Sequence, residues 1–147
     1  MGDTMIEYIL RNSIGILEIL EDGKLIQIDA SLMGVLNRLA NQSLRTVETT
    51  LKQTRKILHC SNKIPLYIND HILFLQLRPL RAKEPFLINY YAIAKSLTKT
   101  KDTITIYFKS GTSVDSIALN PFVRQMKLSN GLIDALESNL KNKKVFT

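Results

Sequence analysis

Cysteine is nearly missing from this chain: Cys60 is the only one in 147 residues. A single thiol forms no internal disulfide, and no CxxC or His/Cys ligand spacing surrounds it. A reducing cytoplasm is the expected compartment. Long apolar runs are missing too. No window approaches the ~18 to 20 uninterrupted apolar residues of a membrane span, so none is expected. Met1-Gly2-Asp3-Thr4 lacks the basic and apolar stretches of a secretory leader. Met1-Gly2 also opens a myristoylation pattern, but Ile6 stands where that pattern needs Ser or Thr.

The common catalytic motifs are absent as well. There is no phosphate loop, GxGxxG, HExxH, GxSxG or CxxC. His59 and His71 have no partners at metal-ligand spacing. His59 beside Cys60 suggests a nucleophile and its base. Sequence neighbours rarely face each other in regular structure, however, and no third group orients the pair. A surface His next to a half-buried thiol is the plainer account. Asp70, Glu84, Asp102 and Asp115 fall mostly in turn-like stretches. No residue is nominated as catalytic, no metal or cofactor is expected, and the chain reads as a non-enzyme.

What is present is positive charge, unevenly placed. Net charge is +7. Residues 1–44 carry −3, residues 45–109 carry +8 and residues 110–147 carry +2. A basic block inside a folded region, not on a tail, is what a surface that meets phosphates requires. The competing account is a generic Lys-rich protein from an AT-rich genome.

The apolar pattern predicts an α+β fold in one domain over 1–147. Residues 1–30 read as a β-meander: 5–10, 14–20 and 24–28 are strand-like, with Asp22-Gly23 as a tight hairpin turn. Residues 31–60 read as helical. Asp29 or Ser31 caps a helix over 32–40, with Leu32, Val35, Leu36 and Leu39 on one face. A second helix is expected from Ser43. Leu44, Val47, Leu51 and Leu58 fall within about 60° on it. Arg45, Lys52 and Lys56 form a basic stripe with Arg55 beside it, and Thr46, Thr49, Thr50 and Gln53 fill the remaining arc.

Residues 61–119 read as sheet. Pro65 marks an edge or strand start, and Arg78 to Glu84 form a basic loop that contains Arg81 and Lys83. Asn120-Pro121 opens a terminal helix over 120–141, with Phe122, Met126, Ile133, Leu136 and Leu140 on its apolar face and Gly131 as an interruption. That face is expected to pack on the sheet of residues 64–119. An antiparallel meander closed by such a helix resembles a pleckstrin-homology-like half-barrel in element order, an analogy that carries no function.

Several pieces over residues 55–125 stand in the order and spacing of a known family. A Lys/Arg- and Thr-rich segment, Arg45 to Lys56, precedes Lys63-Ile64-Pro65-Leu66. An apolar strand then ends near Phe74, ahead of the loop Arg78-Pro79-Leu80-Arg81. Leu87-Ile88-Asn89 follows, then Ile104, Ile106 and Phe108 with Gly111, then Asn120, Phe122 and Gln125. Together these resemble the competence transcription factor family, ComK. Gln76-Leu77 stand where that family carries a Pro-Thr pair, Leu87 replaces its Trp, Pro85 replaces its Cys, and its long C-terminal tail is missing.

The resemblance implies an oligomeric activator of transcription that binds AT-rich double-stranded DNA through the minor groove. Narrow AT-tract grooves concentrate negative potential and attract Arg and Lys. The residues expected to meet DNA are Arg45, Lys52, Arg55, Lys56, Lys63, Arg78, Arg81 and Lys83. The alternative is a non-enzymatic module that uses the same basic patch on an anionic membrane surface or an acidic protein. No small-molecule substrate is evident in the sequence.

Overall fold

The computed structural model describes the backbone of residues 4–145 and the side chains of residues 4–138. Among the described residues the fold is α+β, with two antiparallel sheets and three α-helices. The meander forms as the sequence predicts: β1 (Ile6–Arg11), β2 (Leu17–Glu21) and β3 (Lys24–Ile28). Asp22 and Gly23 both take positive φ, 50° and 78°, so Glu21 and Lys24 pair directly across a two-residue turn. A bulge at Glu7 shifts the β1–β2 register. The Glu7 carboxylate is buried there and accepts the Gly23 N–H at 2.7 Å.

The strands after residue 61 do not form one sheet. β4 (Leu66–Asn69), β5 (Ile72–Arg78) and β6 (Phe86–Asn89) join the meander, because β6 pairs with β1. The six-stranded order is β3-β2-β1-β6-β5-β4. β7 (Ile93–Thr98), β8 (Thr103–Phe108) and β9 (Ser113–Ala118) make a separate three-stranded sheet. Within the stretch read as sheet, the strand that begins at Phe86 ends at Asn89. Its side-chain oxygen accepts the N–H groups of Leu73 and Tyr91, and its amide donates to the carbonyls of Ile6 and His71. This buried side chain ends β6, turns residues 90–92 into a 3₁₀ turn and sends the chain to the second sheet.

Strand alternation divides the core. On one face of the large sheet Ile9, Ile19, Phe74 and Leu87 pack under the first two helices. On the other, Leu20, Leu75, Leu77, Phe86 and Ile88 meet Ile104, Ile106 and Phe108 of β8. The layers are therefore helices, six-stranded sheet, three-stranded sheet. Pro65 is buried immediately before the edge strand β4, where its missing N–H costs no ladder bond.

α1 (Leu32–Asn41) is capped by Ser31, whose hydroxyl accepts the Gly34 N–H at 3.0 Å. α2 (Val47–Leu58) starts later than Ser43. Leu44 takes φ 59° as the left-handed residue that closes α1, and the Arg45 N–H returns to the Ala40 carbonyl at 3.0 Å. Leu44 is consequently 96 % exposed and leaves the expected apolar stripe. Thr46 caps α2, accepting the Thr49 N–H. Thr50 and Thr54 are buried, not surface hydrogen-bonding groups. Each hydroxyl bonds the carbonyl one turn back, to Thr46 and Thr50, which satisfies it internally.

α3 (Leu119–Val145) runs through Gly131 without interruption. It contacts β5, β9 and α2. Its buried line is Phe122, Gln125, Ser129 and Leu132. Phe122 enters the core between the sheets, as expected. Met126, Ile133 and Leu136 are half-buried on its flanks, and the Leu140 side chain lies outside the described residues. The helix starts against the sheets and crosses the end of β5, and by Gly131 it also lies beside Leu58 of α2.

Candidate nucleic-acid interface

A groove of about 750 Å³ lies between α2 and the loop that follows β5. Val47, Ile64 and Gln76 form its floor, all buried. Arg55, Lys63 and Arg81 line it, and Glu48 is the one acid among its lining residues. These three cations come from three different segments. The fold therefore converges charges that the sequence spreads over 27 positions.

Each segment is held by identifiable bonds. Arg55 projects from the last turn of α2, on the flank beside Val47 and Leu51. Lys63 takes φ 48°, and the carbonyls around it are captured by side chains. Arg124 donates to the Asn62 carbonyl at 2.7 Å and to the Lys63 carbonyl at 2.6 Å. Gln125 donates to the Lys63 carbonyl as well, and Gln76 to the Ile64 carbonyl at 2.6 Å. Three consecutive carbonyls that precede β4 are thus pinned by α3 and β5. Charge-assisted bonds from Arg124 are the stronger share.

The 78–84 loop is closed by Arg78. Its guanidinium lies 5.1 Å from the centre of the Phe86 ring, and its Nε donates to the Glu84 carbonyl. The Leu80 N–H donates to the Gln76 side-chain oxygen at 3.1 Å, and the Ala82 N–H to the Pro79 carbonyl at 3.0 Å. Arg78 thereby shapes the loop that presents Arg81 to solvent.

The structure does not bring all eight expected residues together. Lys52 and Lys56 are exposed one turn apart on the outer side of α2, and Lys83 is exposed on the loop without lining the groove. Arg45 lies on the opposite flank of α2, with its guanidinium 5.1 Å from the centre of the Tyr67 ring.

Sequence reasoning missed the polar side chains that build the site. Gln76 was visible as the one polar residue within Ile72–Leu77. Gln125 is among the positions that carry the family resemblance, but neither it nor Arg124 signals its contacts, because their partners are 49 to 62 residues away. His59 is exposed as the left-handed cap of α2, and Cys60 is half-buried with an Arg124 nitrogen 3.4 Å from its sulfur. Among the described residues no group of His, Cys, Asp or Glu could hold a metal ion, and no helix is long and apolar enough to cross a membrane. Comparisons of the chain with protein-family models, curated proteins and solved structures gave no match.

Proposed function

We propose that this protein is a cytoplasmic, DNA-binding transcription regulator that meets AT-rich duplex through the groove beside α2. The observation that carries the reading is the convergence of Arg55, Lys63 and Arg81 on one groove with a single acid among its lining residues. Lys52, Lys56 and Lys83 extend the positive surface beside it. Lysines on an outer helix face suit phosphates, which fix position and carry no sequence information. Arg81, on a projecting loop, suits insertion into a narrow minor groove. The resemblance to the competence transcription factors supports the same reading, along with their oligomeric binding and activating role.

The test is fluorescence anisotropy with AT-rich and GC-rich duplexes over a salt series, with anionic vesicles in parallel. Log affinity is expected to fall linearly with log salt, by about 0.9 per phosphate neutralised, with AT-rich duplex preferred. Absence of duplex binding at low salt removes the proposal. Equal salt-dependent binding to both duplexes and to vesicles reduces it to a generic basic surface.

A further inference from the structure

A second cleft, of about 600 Å³, lies on the other flank of α2, walled by α2, β4 and α3. Its walls carry Ile57 from α2 and Leu132, Ile133 and Leu136 from α3. Thr50 and Thr54 also line it, but each hydroxyl donates its proton to a carbonyl within the helix, so neither has a donor left for the cleft. The polar lining includes two phenols, Tyr67 and Tyr91, and two carboxylates, Asp70 and Glu137. Both carboxylates act on the Tyr91 phenol, whose pKa is raised by burial first and then by Asp70, Tyr90 and Glu137. Arg45, also in the lining, is already engaged over the Tyr67 ring. That contact is a cation held over one aromatic ring of the lining.

We propose that this cleft binds a small organic ammonium ion with an apolar body, the body against Leu132, Ile133 and Leu136 and the charge between Tyr91, Asp70 and Glu137. The argument is charge complementarity on an otherwise basic protein. Two carboxylates and one guanidinium line the cleft beside the half-buried Tyr91 ring; both carboxylates are exposed, and Asp70 also accepts the Tyr67 hydroxyl. Against an apolar anion, the two carboxylates of the lining outnumber its one guanidinium. The inference stands apart from DNA binding, because the cleft and the basic groove lie on opposite flanks of α2.

Calorimetric titration of the full chain, without DNA, with 2-phenylethylammonium and with neutral 2-phenylethanol tests it. The ammonium is expected to saturate and to bind roughly tenfold more tightly than the alcohol. Glu137→Gln, at an exposed position, is expected to weaken the ammonium roughly fivefold and leave the alcohol and the melting midpoint unchanged. Proton NMR shifts of the Tyr91 ring then report the site. No saturable binding, equal binding of both probes, or an unaltered Glu137→Gln affinity overturns the proposal.

Discussion

The side-chain oxygen of Gln125 accepts the backbone N–H of Gln76 at 2.9 Å, tying α3 to β5 across 49 residues. The bond exists because β4 is shorter than β5. Pairing between them runs out at Leu66 opposite Phe74, so the outer edge of β5 at Gln76 has no strand to bond. A buried N–H without a partner is costly, and the Gln125 amide fills the gap from both ends by also donating to Lys63. Gln125→Leu keeps the bulk but strands the Gln76 N–H, while the Lys63 carbonyl keeps its bond from Arg124. The substitution is expected to cost about 1–3 kcal/mol in denaturant melts. An unchanged midpoint would mean that water serves that N–H equally well.

Phe122 packs between the two sheets near Leu77, Phe86 and Ile104. Truncation to Ala leaves a cavity there and is expected to cost ~3–5 kcal/mol. Thermal melts over a protein concentration series check where that packing lies. A midpoint independent of concentration is expected, since the contacts are within one chain. A midpoint that rises with concentration would place the helix in an interface between copies.

The elements were legible in the sequence, and their assembly was legible only in part. Alternation in Leu17–Glu21, the Asp22-Gly23 turn and the i, i+3, i+4 spacing of Leu32, Val35 and Leu36 are local signals, and local structure followed them. The pairing of β1 with β6 joins residues about 80 apart, and no periodicity encodes it. Leu44 failed as a stripe residue because the cap of α1 claimed its backbone. The buried line of α3 was misread because periodicity seeks apolar residues, while two of its four buried positions among the described residues are Gln125 and Ser129. Of the basic residues, Arg55, Lys63 and Arg81 converge on one groove, whereas Arg45 and Arg78 stack on Tyr67 and Phe86. An Arg on a ring and an Arg in solvent look the same in sequence.

Tyr67 supplies a pH-dependent prediction. Its phenol donates to Asp70, and its pKa is pushed from 10.0 up to about 12, by burial first and then by the Asp70 hydrogen bond and charge, with Arg45 opposing. The folded state holds this proton more tightly than the unfolded chain. The resulting stabilisation is complete below pH 10 and is lost as pH rises toward 12. Ultraviolet or NMR titration of the tyrosines is expected to find one phenol that ionises near 12. Asp70→Asn should move that midpoint downward, because the carboxylate's charge is removed. A Tyr67 midpoint near 10 in the parent protein contradicts the geometry.

The basic residues are expected to separate by position in duplex-binding assays. Arg55 lines the groove, so Arg55→Ala should weaken binding and reduce the salt slope by about 0.9. Arg45 sits on Tyr67 across α2, so Arg45→Ala should leave affinity and slope unchanged. Lys52 is exposed on the outer helix face, which suits a phosphate contact. Lys52→Ala should therefore weaken AT-rich and GC-rich duplexes about equally. Arg81 stands on a loop fixed by Arg78 and Gln76, a rigid mount for an inserted side chain. Arg81→Ala should narrow the gap between AT-rich and GC-rich duplexes, because groove width is what an inserted Arg reads. If Arg81→Ala and Lys52→Ala behave alike, the loop reads no shape. If Arg45→Ala weakens binding as much as Arg55→Ala, the DNA lies on the other flank of α2 and the groove is not its seat.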